Sequence, residues 1–78
     1  MKTLEQHLFE LKKSWPSSLV ARDQVGQFSG GVISSKYIAN LDCKGLGPVE
    51  RLRIGRKIAY PVNSLVDWLA QKSKVLGT

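Results

Sequence analysis

The sequence predicts a small α+β domain that is mainly helical and carries one small β-hairpin. Two stretches with apolar residues at helical spacing, one near each end of the 78-residue chain, predict amphipathic helices. Between them, glycine-rich segments at residues 29–31 and 45–48 separate short elements, and residues 49–60 show the alternation of a strand pair. A chain of this length holds one domain with a modest core.

The first helix is predicted over about residues 4–14. Its apolar residues recur at steps of four and three, which places them on one face. Thr3 and Gln6 have the spacing of a capping box, and Pro16 disfavours helix at the residue before it. The simplest interpretation is that the apolar stripe packs on the domain's own core. A dimer contact is the alternative, because Phe9 lies off the stripe.

Two short helices are predicted in the middle of the chain. The first spans about residues 22–28 and is ended by Ser29-Gly30-Gly31, because glycine accepts left-handed backbone conformations and can turn the chain sharply. The second begins after the capping residue Ser34 and ends at about Lys44. The glycines and the proline of residues 45–48 prevent its resumption.

A basic β-hairpin and a C-terminal helix complete the predicted fold. Leu52 and Ile54 alternate with arginines, which predicts a hairpin with a basic outer face. Its register is open. Pairing Ile54 with Ile58 implies a three-residue loop, whereas Gly55 in first place suits a two-residue type II′ turn. Pro61 then starts a helix whose apolar stripe faces the core.

The predicted order is helix, short helix, tight glycine turn, short helix, basic hairpin and helix. Two helices joined by a tight glycine-containing turn form a helix-turn-helix, and a hairpin that follows is the wing of a winged helix. The chain therefore divides into an N-terminal helix extension (residues 1–16), a winged helix-turn-helix domain (17–74) and a tail (75–78).

The charge of the chain favours a polyanionic partner. Twelve Lys and Arg against six Asp and Glu give a net charge of +6, and residues 34–60 hold six of the basic residues against two acidic ones. An α-helix fits the major groove of double-stranded DNA, and arginines on an adjacent hairpin can reach the backbone or the minor groove. This third of the chain is therefore predicted to bind DNA.

The predicted DNA-binding residues lie on the second short helix and the hairpin. Asn40 can pair with an adenine edge, and Tyr37 can contact the backbone or a thymine methyl group. Ser35 and Lys36 can meet phosphate or base near the helix start. The full set is Ser34, Ser35, Lys36, Tyr37, Asn40, Lys44, Arg51, Arg53, Arg56 and Lys57. The alternatives are that the helix residues form a solvated face and that the hairpin is charged to prevent aggregation.

The end of the second short helix is less favourable for phosphate. Asp42 adds a negative charge there, so the first two turns of the helix are expected to carry the recognition. The adjacent Cys43 is expected to be a half-buried small side chain rather than a reactive thiol.

Catalysis, metal binding and cofactors are not predicted. His7 is the only histidine and Cys43 the only cysteine, so neither a zinc site nor a Cys and His nucleophile pair can be assembled. The glycines of residues 45–47 do not open a helix and precede Pro48, which argues against a dinucleotide-binding motif. No small-molecule substrate is expected, and no apolar run approaches the roughly 18 residues of a membrane span. A reducing, nucleoid-associated cytoplasmic location is expected.

Three motifs occur in an order and spacing that resembles a known family. They are Gly45-Leu46-Gly47-Pro48 after the second short helix, residues 53–60 as the wing, and residues 65–69 with their Trp-Leu pair. Over about residues 19–71 the chain resembles the small AlpA-like and excisionase-type proteins, relatives of the MerR-type winged helix carried by phages and integrated elements. Asp42 stands where such proteins usually have an apolar or basic residue.

The resemblance implies sequence-directed DNA binding without catalysis. The protein would act as a transcriptional regulator or as an excisionase, a recombination directionality factor that helps an integrase. Double-stranded DNA is the implied partner, with an integrase and neighbouring protomers on DNA as further ones. The alternative function is a protein-interaction module or inhibitor that uses the N-terminal helix and keeps the winged-helix fold as a scaffold.

Overall fold

The described part of the chain folds into four α-helices and a three-stranded antiparallel sheet. The computed structural model describes residues 2–73 and Leu76, so the predicted tail lies outside it except for Leu76. The helices are α1 (Leu4–Ser14), α2 (Val25–Phe28), α3 (Ser35–Cys43) and α4 (Val62–Lys72), and the strands are β1 (Leu19–Ala21), β2 (Leu52–Ile54) and β3 (Lys57–Pro61). None of the helices described is both long enough and apolar enough to cross a membrane.

Helix α1 forms where the sequence predicts it, with the predicted capping box. The Gln6 N–H donates to Thr3 Oγ1 at 3.2 Å, and the Thr3 N–H donates to Gln6 Oε1 at 2.8 Å. Leu8 is buried in the core. The other members of the stripe pack against that core and are Leu4, Leu11 and Trp15. The domain itself therefore covers the apolar stripe, largely through α4, while Phe9 stays 61% exposed.

The sheet contains a strand that the sequence analysis does not predict. Strand β1 pairs antiparallel with β3, and Val20 lies opposite Tyr60, both fully buried. Three residues are too few to show the alternation of a strand, and the partner strand lies far along the chain, so no local pattern indicates the pairing. The helix predicted over residues 22–28 is also shorter, because a 3₁₀ turn, Arg22–Gln24, precedes α2.

Helix α3 is bounded by the capping residues that the sequence predicts. At its start, the Tyr37 N–H donates to Ser34 Oγ at 3.1 Å. At its end, Gly45 has a φ of +73°, and the Leu46 N–H donates to the Leu41 carbonyl at 2.8 Å. This is the arrangement of a Schellman motif, in which a left-handed residue lets the chain leave the helix while its last carbonyls stay bonded.

The hairpin between β2 and β3 has a two-residue loop. Ile54 pairs with Lys57 across Gly55 and Arg56, so the three-residue alternative is wrong. Gly55 has a φ of +64°, and no residue other than glycine has a positive φ among the described residues. A positive φ at the first loop position alone agrees with the type II′ turn.

This register reverses the side-chain faces expected for β2. Arg53 lies opposite Ile58 and shares a sheet face with Tyr60, which is fully buried. Leu52 and Ile54 lie on the other face and are 42% and 57% exposed. The prediction of a separate basic outer face is therefore wrong, because a change of one residue in register turns every side chain to the opposite face.

The core lies between the inner face of the sheet and the helices. Helix α4 contributes the stripe predicted for it, with Leu65 almost fully buried. Both tryptophans, Trp68 in the core and Trp15 packed against it, also hydrogen-bond to the backbone. Trp15 Nε1 donates to the Leu19 carbonyl at 2.9 Å, beside β1. Trp68 Nε1 donates to the Leu46 carbonyl at 2.9 Å, which attaches the loop after α3 to helix α4.

Candidate nucleic-acid interface

All the side chains predicted to bind DNA are exposed. Those of α3 lie on its outward face, because Ile38 and Asp42, one turn apart, are buried on the inward face. The exposed residues on or beside α3 are Ser34, Ser35, Lys36, Tyr37, Asn40 and Lys44. The exposed residues on or beside the hairpin are Arg51, Arg53, Arg56 and Lys57. The two groups come from different parts of the chain, so only the fold determines how they lie relative to one another.

The start of α3 and the tip of the hairpin line one groove. Its volume is about 280 Å³, and its lining residues are Arg22, Asp23, Ser35, Arg56, Lys57 and Ile58. Three of these side chains are basic and one is acidic. The groove also lies at the N-terminal end of a helix, where the macrodipole and free N–H groups favour negative charge. The arrangement suits the phosphate of a polyanion.

Lys57 is paired with Asp23 at this groove. Its Nζ lies 2.5 Å from Asp23 Oδ2, and both side chains are mostly exposed. An exposed ion pair contributes only about 0 to 1 kcal/mol, because water screens the charges and two mobile side chains must be ordered. A phosphate can therefore replace the Asp23 carboxylate at little cost in free energy. Arg53 and Arg56 make no ion pair within the described residues.

Arg51 lies differently from the other basic residues of the hairpin region. Its Nη1 is 3.3 Å from Asp42 Oδ1, and its side chain is about half exposed. The same nitrogen is 3.4 Å from the Asp42 carbonyl oxygen, a long hydrogen bond. Arg51 therefore lies along the end of α3, where its guanidinium group pairs with Asp42.

Asp42 does not face outward at the end of α3. Its side chain is 4% exposed, and Arg22 Nη2 lies 2.6 Å from Asp42 Oδ2. The expectation that Asp42 presents an unfavourable charge to phosphate is therefore wrong. Cys43 also differs from expectation, because it is exposed rather than half-buried. Helical geometry explains both positions: Asp42 follows Ile38 by one turn on the buried face, and the next residue turns outward.

The side chains of Asp42, Tyr60 and Arg22 form a closed hydrogen-bonded triangle that no local sequence pattern predicts. The Tyr60 hydroxyl donates to Asp42 Oδ2 at 2.5 Å, and Arg22 Nε donates to the Tyr60 oxygen at 2.9 Å. Arg22 Nη2 donates to Asp42 Oδ2 at 2.6 Å and closes the triangle. The only sequence signal is the position of Asp42 on the apolar face of α3, which requires a partner without identifying it.

The triangle shifts the pKa values of two of its members. Burial raises the pKa of Tyr60 to about 12, and the hydrogen bond to Asp42 adds to the rise while Arg22 opposes it. Burial by itself lowers the pKa of Arg22, but its hydrogen bonds with Tyr60 and Asp42 outweigh that effect and leave the pKa raised. Tyr60 therefore stays neutral, donating a hydrogen bond to Asp42 and accepting one from Arg22.

Lys72 is a further basic residue near α3 that the sequence analysis did not select. Its Nζ lies 5.9 Å from the centroid of the Tyr37 ring and 5.4 Å from that of the Trp68 ring. Both distances are within the range of cation–π attraction. The last turn of α4 thus places a positive charge beside the outward face of α3. No local sequence pattern links Lys72 to Tyr37.

The outward face of α3, the hairpin tip and Lys72 together form what we call the basic surface. It consists of Ser34, Ser35, Lys36, Tyr37, Asn40, Lys44, Arg53, Arg56, Lys57 and Lys72.

Comparison of the chain with protein-family models, with curated proteins and with solved structures yields no match.

Proposed function

We propose that the protein binds double-stranded DNA in a sequence-specific way as a winged helix-turn-helix protein. Helix α3 is the recognition helix, and the β2–β3 hairpin is the wing. The proposal rests on one observation. Ser35 at the start of α3 lines the same groove as Arg56 and Lys57 at the hairpin tip. Ser35 thereby lies beside two basic residues of the hairpin tip that are distant from it in the sequence, which supports the proposal.

The geometry of the elements fits this assignment. The turn between α2 and α3 contains Gly30 and Gly31, with φ values of +69° and +87°, conformations that glycine adopts without strain. Helix α3 has nine residues, which suits contact with a few base edges in the major groove. The exposed arginines of the hairpin supply phosphate contacts beside that groove.

Within the DNA-binding class we propose a regulator of transcription or an excisionase of a phage or integrated element. This choice follows the resemblance to AlpA-like and excisionase-type proteins. One recognition helix reads only a few base pairs, so we expect two or more protomers to bind neighbouring half-sites. A footprint that covers one half-site at saturating protein would count against this expectation.

A binding titration on duplex DNA at several salt concentrations tests the proposal. Release of about four to six counterions gives a log–log slope of roughly −3.6 to −5.4. Replacing Arg53 and Arg56 by alanine should weaken binding and flatten the slope. The matched control replaces Lys12 and Lys13 in the last turn of α1, which removes the same charge at residues outside the basic surface. Equal loss in both double variants, or no salt dependence, contradicts the proposal.

A protein-interaction module is the second candidate, and the exposure of Phe9 favours it. This ring is 61% exposed on α1, although the apolar stripe of the same helix is covered by the core. On this alternative the Arg53 and Arg56 variants lose nothing, whereas Phe9→Ala abolishes partner binding. On the DNA-binding proposal Phe9→Ala leaves DNA affinity unchanged.

A further inference from the structure

We propose that Asp42 is the positioning residue of the DNA interface, which fixes the wing against the recognition helix without touching DNA. This inference rests on the proposed DNA-binding function and deepens it. Asp42 lies on α3, yet its side chain points away from the basic surface and into the domain. There it contacts residues from the segments on either side of the recognition helix.

One carboxylate oxygen of Asp42, Oδ2, links helix α3 to two other elements of the fold. Oδ2 accepts from Tyr60 on β3 and from Arg22 in the 3₁₀ turn before α2. Because Arg22 also donates to the Tyr60 oxygen, each of the three side chains is held by two others. A closed triangle of this kind defines the positions of α3, the 3₁₀ turn and the central strand relative to one another.

The second oxygen of Asp42 faces the connection between α3 and the hairpin. Oδ1 is buried and makes no hydrogen bond of good geometry, and its charged neighbour is Arg51 at 3.3 Å. A Cβ added at Gly47 would lie 1.9 Å from Oδ1. The connecting chain therefore passes directly against the carboxylate. We call Arg22, Asp42, Arg51 and Tyr60 the Asp42 network.

Burial makes the network selective for one arrangement of the domain. A buried carboxylate is costly unless its charge is paired and its oxygens are contacted. If the hairpin or the 3₁₀ turn moved away from α3, Asp42 would lose the hydrogen-bond donors that offset the cost of its burial. Such arrangements are therefore disfavoured even when the apolar core tolerates them.

A fixed arrangement raises DNA affinity because the helix and the wing must contact the same duplex. When one contact is made, the other becomes intramolecular, and its effective concentration depends on how rigidly the two parts are joined. Loosening the Asp42 network should lower affinity without removing any DNA contact. The slope of affinity against salt should then stay unchanged, because the number of phosphate contacts is the same.

The test compares Tyr60→Phe with a variant of similar stability at a distant site. Tyr60→Phe keeps the buried ring and removes two hydrogen bonds, the one donated to Asp42 and the one accepted from Arg22. Leu8→Ala, or the milder Leu8→Val if stability must be matched, perturbs the core from α1. At a temperature where every variant is folded, Tyr60→Phe should weaken DNA binding roughly three- to thirtyfold at an unchanged salt slope. The Leu8 variant should leave affinity unchanged. Equal affinities in the two variants overturn the inference.

Amide hydrogen exchange supplies a readout that does not depend on DNA. Tyr60→Phe should speed exchange in β2 and β3 more than in α1, and the Leu8 variant should show the reverse. If the wild-type protein binds no duplex, the proposed function fails, and the exchange comparison alone decides whether Asp42 fixes the hairpin. Uniform changes along the chain in Tyr60→Phe overturn the positioning role.

Discussion

The Tyr60 hydroxyl lies 2.5 Å from Asp42 Oδ2 and joins strand β3 to helix α3. Tyr60 is fully buried between these elements, and Asp42 is nearly so. A short bond between a neutral donor and a carboxylate is stronger than a bond between two neutral groups. The pair therefore contributes both to stability and to the shape of the basic surface.

Alkaline pH should destabilise the protein through Tyr60. Its pKa is raised to about 12 in the folded protein, against about 10 for an unperturbed tyrosine. The folded state therefore holds the proton more tightly. The contribution of protonated Tyr60 to the free energy of unfolding is fully present below about pH 10 and is lost as the pH rises through about 12.

Tyrosinate absorbance measures this titration directly. In Tyr37→Phe the only remaining tyrosine is Tyr60, so its folded-state pKa can be read without overlap. Denaturant unfolding over the same pH range should show a smaller decline in Tyr60→Phe than in the wild type. An ordinary tyrosine pKa in the folded protein contradicts the prediction.

Gly47→Ala should lower the free energy of unfolding by about 1 to 3 kcal/mol, because overpacking forces neighbouring groups to move. The new methyl group would meet Asp42 Oδ1 at 1.9 Å, and that carboxylate is held by its partners. Gly26→Ala is the control, since its added Cβ finds only an ordinary contact, 3.6 Å from the Ile33 carbonyl oxygen. Urea denaturation that gives the same stability for both variants rules out the close approach.

Asp23→Asn should tighten DNA binding. It removes the carboxylate that pairs with Lys57 in the groove and so frees one cation for phosphate. The salt slope should change little, because Lys57 contacts phosphate in both forms and the substitution removes only the competing carboxylate. Glu10→Gln is matched in charge, because Glu10 pairs with Lys2 on the exposed face of α1. Equal tightening in both variants would show a general charge effect rather than release of Lys57.

Substitutions in the hairpin should reveal its register. Ile54 is 57% exposed on the outer face, so Ile54→Thr should change stability by less than about 0.5 kcal/mol. Ile58 packs against the core, and Ile58→Thr should cost more, about 1 to 2 kcal/mol. Thermal unfolding of the two variants provides the measurement. A larger loss at Ile54 would favour the three-residue loop.

The sequence predicts the elements whose signals are local. Thr3 and Gln6 identify the start of α1, Ser34 identifies the start of α3, and Gly45 identifies its end. Each signal depends on hydrogen bonds or backbone freedom within a few residues, so the local sequence is sufficient to predict it. The exposed α3 residues proposed for DNA contact follow from helical periodicity.

The features that the sequence does not predict depend on distant residues. Strand β1 exists only through its pairing with β3, and the register of the hairpin depends on a choice between two plausible loops. Asp42 is likewise expected from the sequence to present its charge at the end of α3, whereas the fold buries it. Its partners Arg22 and Tyr60 belong to other elements, so only the folded chain brings them together.

The exposed thiol of Cys43 makes the end of α3 chemically addressable. As the only cysteine in the chain, it accepts a thiol-reactive dye or cross-linker at one position without any substitution. It directly follows Asp42 and lies within one turn of Asn40, on the side of α3 away from the buried ring of Tyr60. If α3 binds DNA as proposed, a probe attached at Cys43 should respond to an approaching duplex without any change to the Asp42 network.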